Sequence, residues 1–275
     1  MRLLDRLYDH SVRVRRHLGD RVTVGPRQYK VVGYLANVLS IDDDSETDVA
    51  VVMRQLLRAP GAFIDVGANL GQTLGRVLSI DPDRRYLGFE PQVGACFYIS
   101  RFLQDNDITN AQVLPFGLGG STGIRKFWSQ GDGDVMGSMV AHRLGTRETL
   151  VPVRRGDDVL AEIGIDTIAA IKIDVEGAEL EVMQGLDRTL RQIRPPILFE
   201  VLPNFEGQSR RRLQPEVAKR QSENATEIWR FLTDLNYRIH QIDPRGAEVA
   251  IPRFDLDNSS GFVGFNYIAR PQAAS

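Results

Sequence analysis

The sequence predicts an α/β protein built on a doubly wound, Rossmann-like sheet, and three features carry that expectation. Short apolar runs of strand length alternate with stretches of helical spacing from residue 46 onward. The run Phe63, Ile64, Asp65, Val66 reads as a strand buried on both faces, and it opens through a turn bearing Gly67 and Gly71 into the helically spaced QTLGRVLSI. Three further runs end in acids: YLGFE at Glu90, IAAIKID at Asp174 and ILFE at Glu200. These are the strand ends at which open parallel sheets bind ligands.

The 275 residues, 42% hydrophobic and 25% charged, suffice for one main domain with a good core. Residues 1–45 read as a helix and short-strand extension and 46–275 as the main domain. A net charge of −2 argues against a nucleic-acid partner, which selects a basic surface, and favours a small or sugar-like substrate. The single cysteine, Cys96, permits no intramolecular disulfide and no cysteine zinc cluster, so a reducing cytoplasmic setting is expected. No apolar run approaches membrane-spanning length. Asp5, Arg6 and Asp9 interrupt the N-terminal segment, so it does not read as a signal peptide.

In chain order, residues 1–30 hold eight basic and three acidic side chains, and Leu3, Leu4, Leu7, Val14 and Leu18 form one helical stripe. That pattern fits a helix packed on the domain better than a weak peripheral membrane contact. RVTVG and YKVVGYL alternate like short strands. The acidic IDDDSETD lacks the spacing of a calcium loop and suits the N-terminal end of the helix VAVVMRQLL, which Ala59, Pro60 and Gly61 terminate.

The turn after Val66 selects its ligand by what it lacks. Asn69 and Gln72 stand where a dinucleotide fingerprint needs its second and third glycines, so a pyrophosphate fits badly. Asp65 at the strand tip would repel phosphate and attract an ammonium. Glu90, followed by Pro91, can accept both hydroxyls of a ribose. An ammonium at one end and a ribose at the other describe S-adenosylmethionine. VGACFYISRFLQDN follows as a helix with Val93, Phe97, Ile99, Phe102 and Leu103 as its apolar surface and Cys96 as core. The exit of AQVLPFGLG, at Phe116, Gly117 and Leu118, should lie over the ligand, where a large side chain either covers an adenine or simply packs.

STGIRKFW and ETLVPVRR read as a β-hairpin around a glycine-rich loop, in which His142 is a candidate base or sugar contact. Asp174 and Glu176 follow a buried strand and face the site. A carboxylate there can remove the proton from an acceptor hydroxyl or hold a metal that does so. Glu200 brings a further acid to the same edge. The three could ligate magnesium through oxygen, and the sequence leaves the metal open. Residues 204–222, polar and arginine-rich, read as an insertion near the acceptor entrance, followed by a helix in NATEIWRFLTDL, a strand in NYRIHQI and a last strand in FNYIARP.

FIDVGANLGQT, YLGFEPQ, VLPFGLG, IKIDVEGAELEVMQG and the closing FNYIA together resemble the FkbM family of S-adenosylmethionine-dependent methyltransferases, over most of residues 46–269. The resemblance implies a class I methyltransferase fold with a seven-stranded sheet whose last strand is antiparallel. It also implies O-methylation of sugar hydroxyls or natural-product acceptors. By position it places Asp65, Gly67, Asn69 and Gly71 at the methionine part of the donor and Glu90 at its ribose, with Asp174 and Glu176 toward the acceptor. One departure is local: Gly156 stands before Asp157 and Asp158 where the family commonly has leucine. Two competing readings are a nicotinamide dehydrogenase, opposed by Asn69 and Gln72, and a donor-binding scaffold without catalysis, opposed by Asp174 and Glu176. A homodimer is a further expectation, from the basic N-terminal helix and exposed strand edges.

Overall fold

The structure, a computed structural model, describes residues 20–31, 48–129, 147–206, 211–257 and 265–273. The N-terminal helical stripe, the acidic run before residue 48 and the glycine-rich loop with His142 lie outside these residues. The described chain begins with a hairpin of β1 (Asp20–Val24) and β2 (Arg27–Val31), whose Val22, Val24, Tyr29 and Val31 join the same core as the elements that follow. Then come α1 (Asp48–Leu56), β3 (Ala62–Val66), α2 (Gln72–Ile80), β4 (Tyr86–Phe89), α3 (Val93–Asp105) and β5 (Ala111–Leu114). A side branch follows, made of β6 (Gly117–Gly119), β7 (Gly123–Ser129) and β8 (Arg147–Arg155). The main path resumes with α4 (Gly156–Ile163), β9 (Ile168–Ile173), α5 (Glu179–Gly185), α6 (Asp187–Gln192) and β10 (Ile197–Glu200). Two-residue strands β11 (Phe205–Glu206) and β12 (Arg211–Arg212) precede α7 (Pro215–Asp234), β13 (Tyr237–Ile242), β14 (Glu248–Ala250) and β15 (Asn266–Pro271).

Eight strands form the main sheet in the order β14-β13-β15-β10-β9-β3-β4-β5. β5, β4, β3, β9 and β10 run parallel, and β15 lies antiparallel between β10 and β13. This is the class I methyltransferase arrangement. The expected count of seven is exceeded because the chain leaving β13 folds back at Asp243 and adds β14 as a short antiparallel edge.

The period of two in the strands divides the core cleanly. Ile64, Val66, Ile171, Ile173, Ile197 and Phe199 point to one face, against Val182, Met183, Leu190, Ile228 and Leu232. Phe63, Tyr86, Ala170, Leu198 and Ile268 point to the other, against Met53, Leu56, Leu74, Leu78, Ile99 and Phe102. Each fully buried aliphatic side chain here contributes about 1.5–3 kcal/mol, and both faces of β3 are covered along its whole length.

Three local expectations change. Phe116 to Gly119 is not simply the exit of a sheet strand, because Gly117–Gly119 peels away and pairs with β8 in a separate three-stranded sheet. Val93 and Phe97 lie on the solvent side of α3, 72% and 64% exposed, while Ala95, Ile99, Phe102 and Leu103 face the core. Residues 215–222 are the first two turns of α7 rather than part of a loop. Pro215 opens that helix, where its missing N–H costs nothing, and the polar composition there is a solvent-facing surface.

Candidate active site

The site lies across the C-terminal ends of β3, β4, β9 and β10, and its tightest element is the turn after β3. Gly67 takes φ +88, and a Cβ built there would stand 1.9 Å from the carbonyl oxygen of Asp174, so only glycine fits. The Asp174 N–H donates to the Val66 carbonyl at 3.0 Å, binding the turn after β9 against the turn after β3. Asn69 and Gly71 also take positive φ, 48 and 91, before α2 begins.

At the tip of β4, Glu90 is buried and held by two backbone donors. The Asn69 N–H reaches its Oε2 and the Gln92 N–H its Oε1, each at 2.8 Å. Burial pushes the Glu90 carboxyl up to about 7, opposed by those two N–H groups. Cys96 packs behind it with its thiol donating to the Glu90 carbonyl, and burial drives that thiol up to about 12, as suits a core residue.

The acidic end centres on Lys172, whose role sequence reasoning missed. Its Nζ lies 3.0 Å from Asp174 Oδ2 and 3.6 Å from Asp65 Oδ1. Burial alone would lower the ammonium's pKa, but the Asp174 and Asp65 carboxylates overcome it and the net shift is upward. Asp65 is wholly buried, accepts a 2.5 Å hydrogen bond from the Tyr86 hydroxyl, and has its carboxyl raised by that burial against the pull of Lys172. Oxygens of Asp174, Glu176 and Glu200 lie within 4.8 Å of one another, a set that could hold a hard divalent cation. Glu176 sits at φ +55 in the tight turn. Glu179 secures that turn by accepting from the Gly177 N–H at 3.0 Å, and burial pushes its own carboxyl up to about 7. Burial, then repulsion from Asp174 and Glu176, pushes Glu200 to about 7 as well.

These groups enclose a cavity of about 300 Å³. Gly67, Asn69, Glu90 and Pro91 line it together with Asp174, Glu176 and Glu200, with Gly117 and Leu118 also on the wall. Among the described residues, three candidates stand outside the lining. Asp65 lies beneath it, engaged by Tyr86 and Lys172 rather than presented to a ligand. Gly71 shapes the turn into α2. Phe116 packs on Phe89, ring centroids 5.7 Å apart, under the Arg154 guanidinium. Besides Lys172, the lining adds Gln72, Thr73 and Gln92, which lie inside the FIDVGANLGQT and YLGFEPQ runs but were not expected to line a cavity, and Phe127 of β7. Among the described residues no helix is long and apolar enough to cross a membrane.

A family model described as methyltransferase FkbM domain matches residues 65–239. A Beauveria bassiana protein named Methyltransferase 1 is 27% identical over 144 residues, covering 46% of this chain and 58% of that protein. The AMB antimetabolite synthetase AmbE of Pseudomonas aeruginosa is 28% identical over 192 residues, covering 55% of this chain and 9% of that much longer protein. The chain thus spans less than two thirds of either relative. Among solved structures, the methyltransferase FkbM of Methylobacillus flagellatus KT aligns at 16% identity with a TM-score of 0.45, over 76% of this chain and 43% of that one.

Proposed function

The chain belongs to the FkbM methyltransferase family, and from that premise we propose that it transfers a methyl group from S-adenosylmethionine to a hydroxyl of a sugar-containing or natural-product acceptor. The observation that carries the O-methyl reading is the convergence of Asp174, Glu176 and Glu200 on the same cavity that Gly67 and Glu90 line.

The residues fit the donor. Glu90 offers a carboxylate to a ribose diol, with its orientation set by the Asn69 N–H on one flank and the Gln92 N–H on the other. Gly67, with no Cβ, lets the Asp174 carbonyl close against the turn that lines the cavity. When bound, S-adenosylmethionine supplies an electrophilic methyl group on a sulfonium. The protein's own work is to orient an acceptor hydroxyl and take its proton. Glu200, held near 7, is matched to accept that proton at neutral pH. Asp174, fixed by Lys172, orients the hydroxyl. Lys172 also puts a positive charge beside Asp174 that competes with a divalent cation for that carboxylate, so in this reading transfer needs no metal.

Titration calorimetry with S-adenosylhomocysteine, against NAD as control and with or without chelator, tests the donor. Saturable binding of the analogue alone is expected under both conditions. Labelled-methyl transfer to a panel of glycosylated acceptors then tests the chemistry: Asp174→Ala should retain analogue binding and lose turnover by a factor on the order of 100 or more. Full turnover in that variant, or transfer only to amine acceptors, would overturn the assignment.

A further inference from the structure

The donor cavity, at about 300 Å³, is at the low end for a small-molecule site. If the O-methyltransferase reading holds, the body of a glycosylated acceptor needs a second place to sit. A larger cavity of about 710 Å³ lies between α7 and the β13–β14 hairpin, bordered by residues 251–257. Neither the family match nor the chemistry above gives it a role.

A line of packed rings forms the wall between the second cavity and the acidic side of the first. Phe199, which directly precedes Glu200, lies 5.9 Å from Tyr267 between ring centroids; Tyr267 lies 4.7 Å from Phe254, and Phe254 lies 5.2 Å from Trp229. Burial raises the pKa of the Tyr267 hydroxyl and the carboxylates of Asp255 and Glu200 raise it further, so one hydroxyl lies within electrostatic reach of both cavities. The Asn204 N–H, four residues beyond Glu200, donates to the Leu256 carbonyl at 2.9 Å and ties the chain leaving β10 to the second cavity's border.

Its lining combines two chemistries. Trp229 and Phe254 meet edge to face at 85°, both part-exposed, and present apolar ring surface. Asp255, Asp257, Arg230 and Arg253 stand around them. A purely apolar ligand would strip water from those charges without replacing their hydrogen bonds, and a phosphorylated ligand would meet the two carboxylates. A pyranose satisfies both requirements: its C–H face lies on a ring while its hydroxyls pair with carboxylate and guanidinium groups. We propose that this cavity holds a saccharide unit of the acceptor, with the hydroxyl to be methylated reaching Glu200 across the C-terminal end of β10.

The chain has two tryptophans, Trp128 on β7 and Trp229 at the cavity, so labelled indole N–H resonances separate the sites. Protein saturated with S-adenosylhomocysteine is titrated with the methyl glycosides of a neutral hexose, a 6-deoxyhexose, an amino sugar and a uronic acid. At least one should shift the Trp229 signal saturably and leave Trp128 in place. Asp255→Asn should weaken that glycoside about tenfold, the scale of one charged hydrogen bond, with unchanged affinity for S-adenosylhomocysteine as the check on folding. Donor-analogue binding without any Trp229 response, or a response indifferent to Asp255→Asn, would overturn the saccharide site. Failure to bind the analogue at all would instead overturn the donor assignment, and with it the acceptor role of this cavity.

Discussion

Glu90 illustrates how a single side chain can be both burdened and poised. Burial holds its carboxyl near 7 while two backbone N–H groups already favour the charged form, so a diol donating two more hydrogen bonds would tip it to carboxylate. Affinity for S-adenosylhomocysteine should therefore rise as pH increases through about 7 in the native protein. In Glu90→Gln it should be weaker by about tenfold or more at the upper end, the scale of hydrogen bonds to a charged group, and flat across the same range. Calorimetry at several pH values measures both; parallel pH profiles in the two proteins would remove Glu90 from the donor site. Asp65 shows the opposite lesson. Its place at a strand tip was legible, but its partner was not. Gly88 pairs across from it, and a Cβ at Gly88 would stand 3.1 Å from the Tyr86 hydroxyl. The missing side chain lets Tyr86 lie across Gly88 and claim the carboxylate, a three-residue arrangement that no linear motif displays.

Among the elements, the short helix α6 depends on a residue of another helix. Asp157, buried in the first turn of α4, accepts hydrogen bonds from the Arg188 N–H at 2.9 Å, the Thr189 N–H at 2.9 Å and the Thr189 hydroxyl at 2.8 Å. It caps α6 from outside. Asp157→Ala should lower unfolding free energy by about 2 kcal/mol, as buried donors lose their acceptor, and leave donor-analogue affinity intact; denaturant titration beside calorimetry checks the two halves. The neighbouring departure from the family pattern is also explained. A Cβ at Gly156 would lie 2.6 Å from Leu186 Cδ2, so the space a leucine would need is filled from the other side. Helix α7 was readable only where Ala225, Ile228 and Leu232 mark its buried face. Its first turns carry no apolar stripe, because they extend beyond the core, and composition alone made them resemble a loop.

For the molecule as a whole, the alternation of strand runs and helical spacing was enough to predict a doubly wound sheet, since β4, β9 and β10 are buried on both faces and each run ends in a chemically distinctive acid, Glu90, Asp174 and Glu200. What escaped the sequence depends on partners distant in the chain: Lys172 reading as an ordinary strand residue, β6 leaving for a second sheet, β14 adding an eighth strand. The accumulated acids have a global consequence. Glu90, Glu179 and Glu200 each have a folded-state pKa raised from 4.5 to about 7, so the stability they contribute is full below about 4.5 and is lost as pH rises through about 7. The melting temperature of donor-free protein should fall across that window, and less steeply in Glu200→Gln. Equal slopes by differential scanning calorimetry would show that Glu200 is solvated in the folded state.

The contact between Gly67 and the Asp174 carbonyl sets a rule for anyone rebuilding this site. Because the turn after β3 and the turn after β9 share a backbone surface with no room for one added carbon, they behave as a single interlocking part. Transplanting the acidic segment 174–179 alone into another sheet would import half a joint. The pieces that can be exchanged between relatives are the pair of turns together, or the outlying walls such as β7–β8 and the border of the second cavity, where altered side chains leave the joint undisturbed.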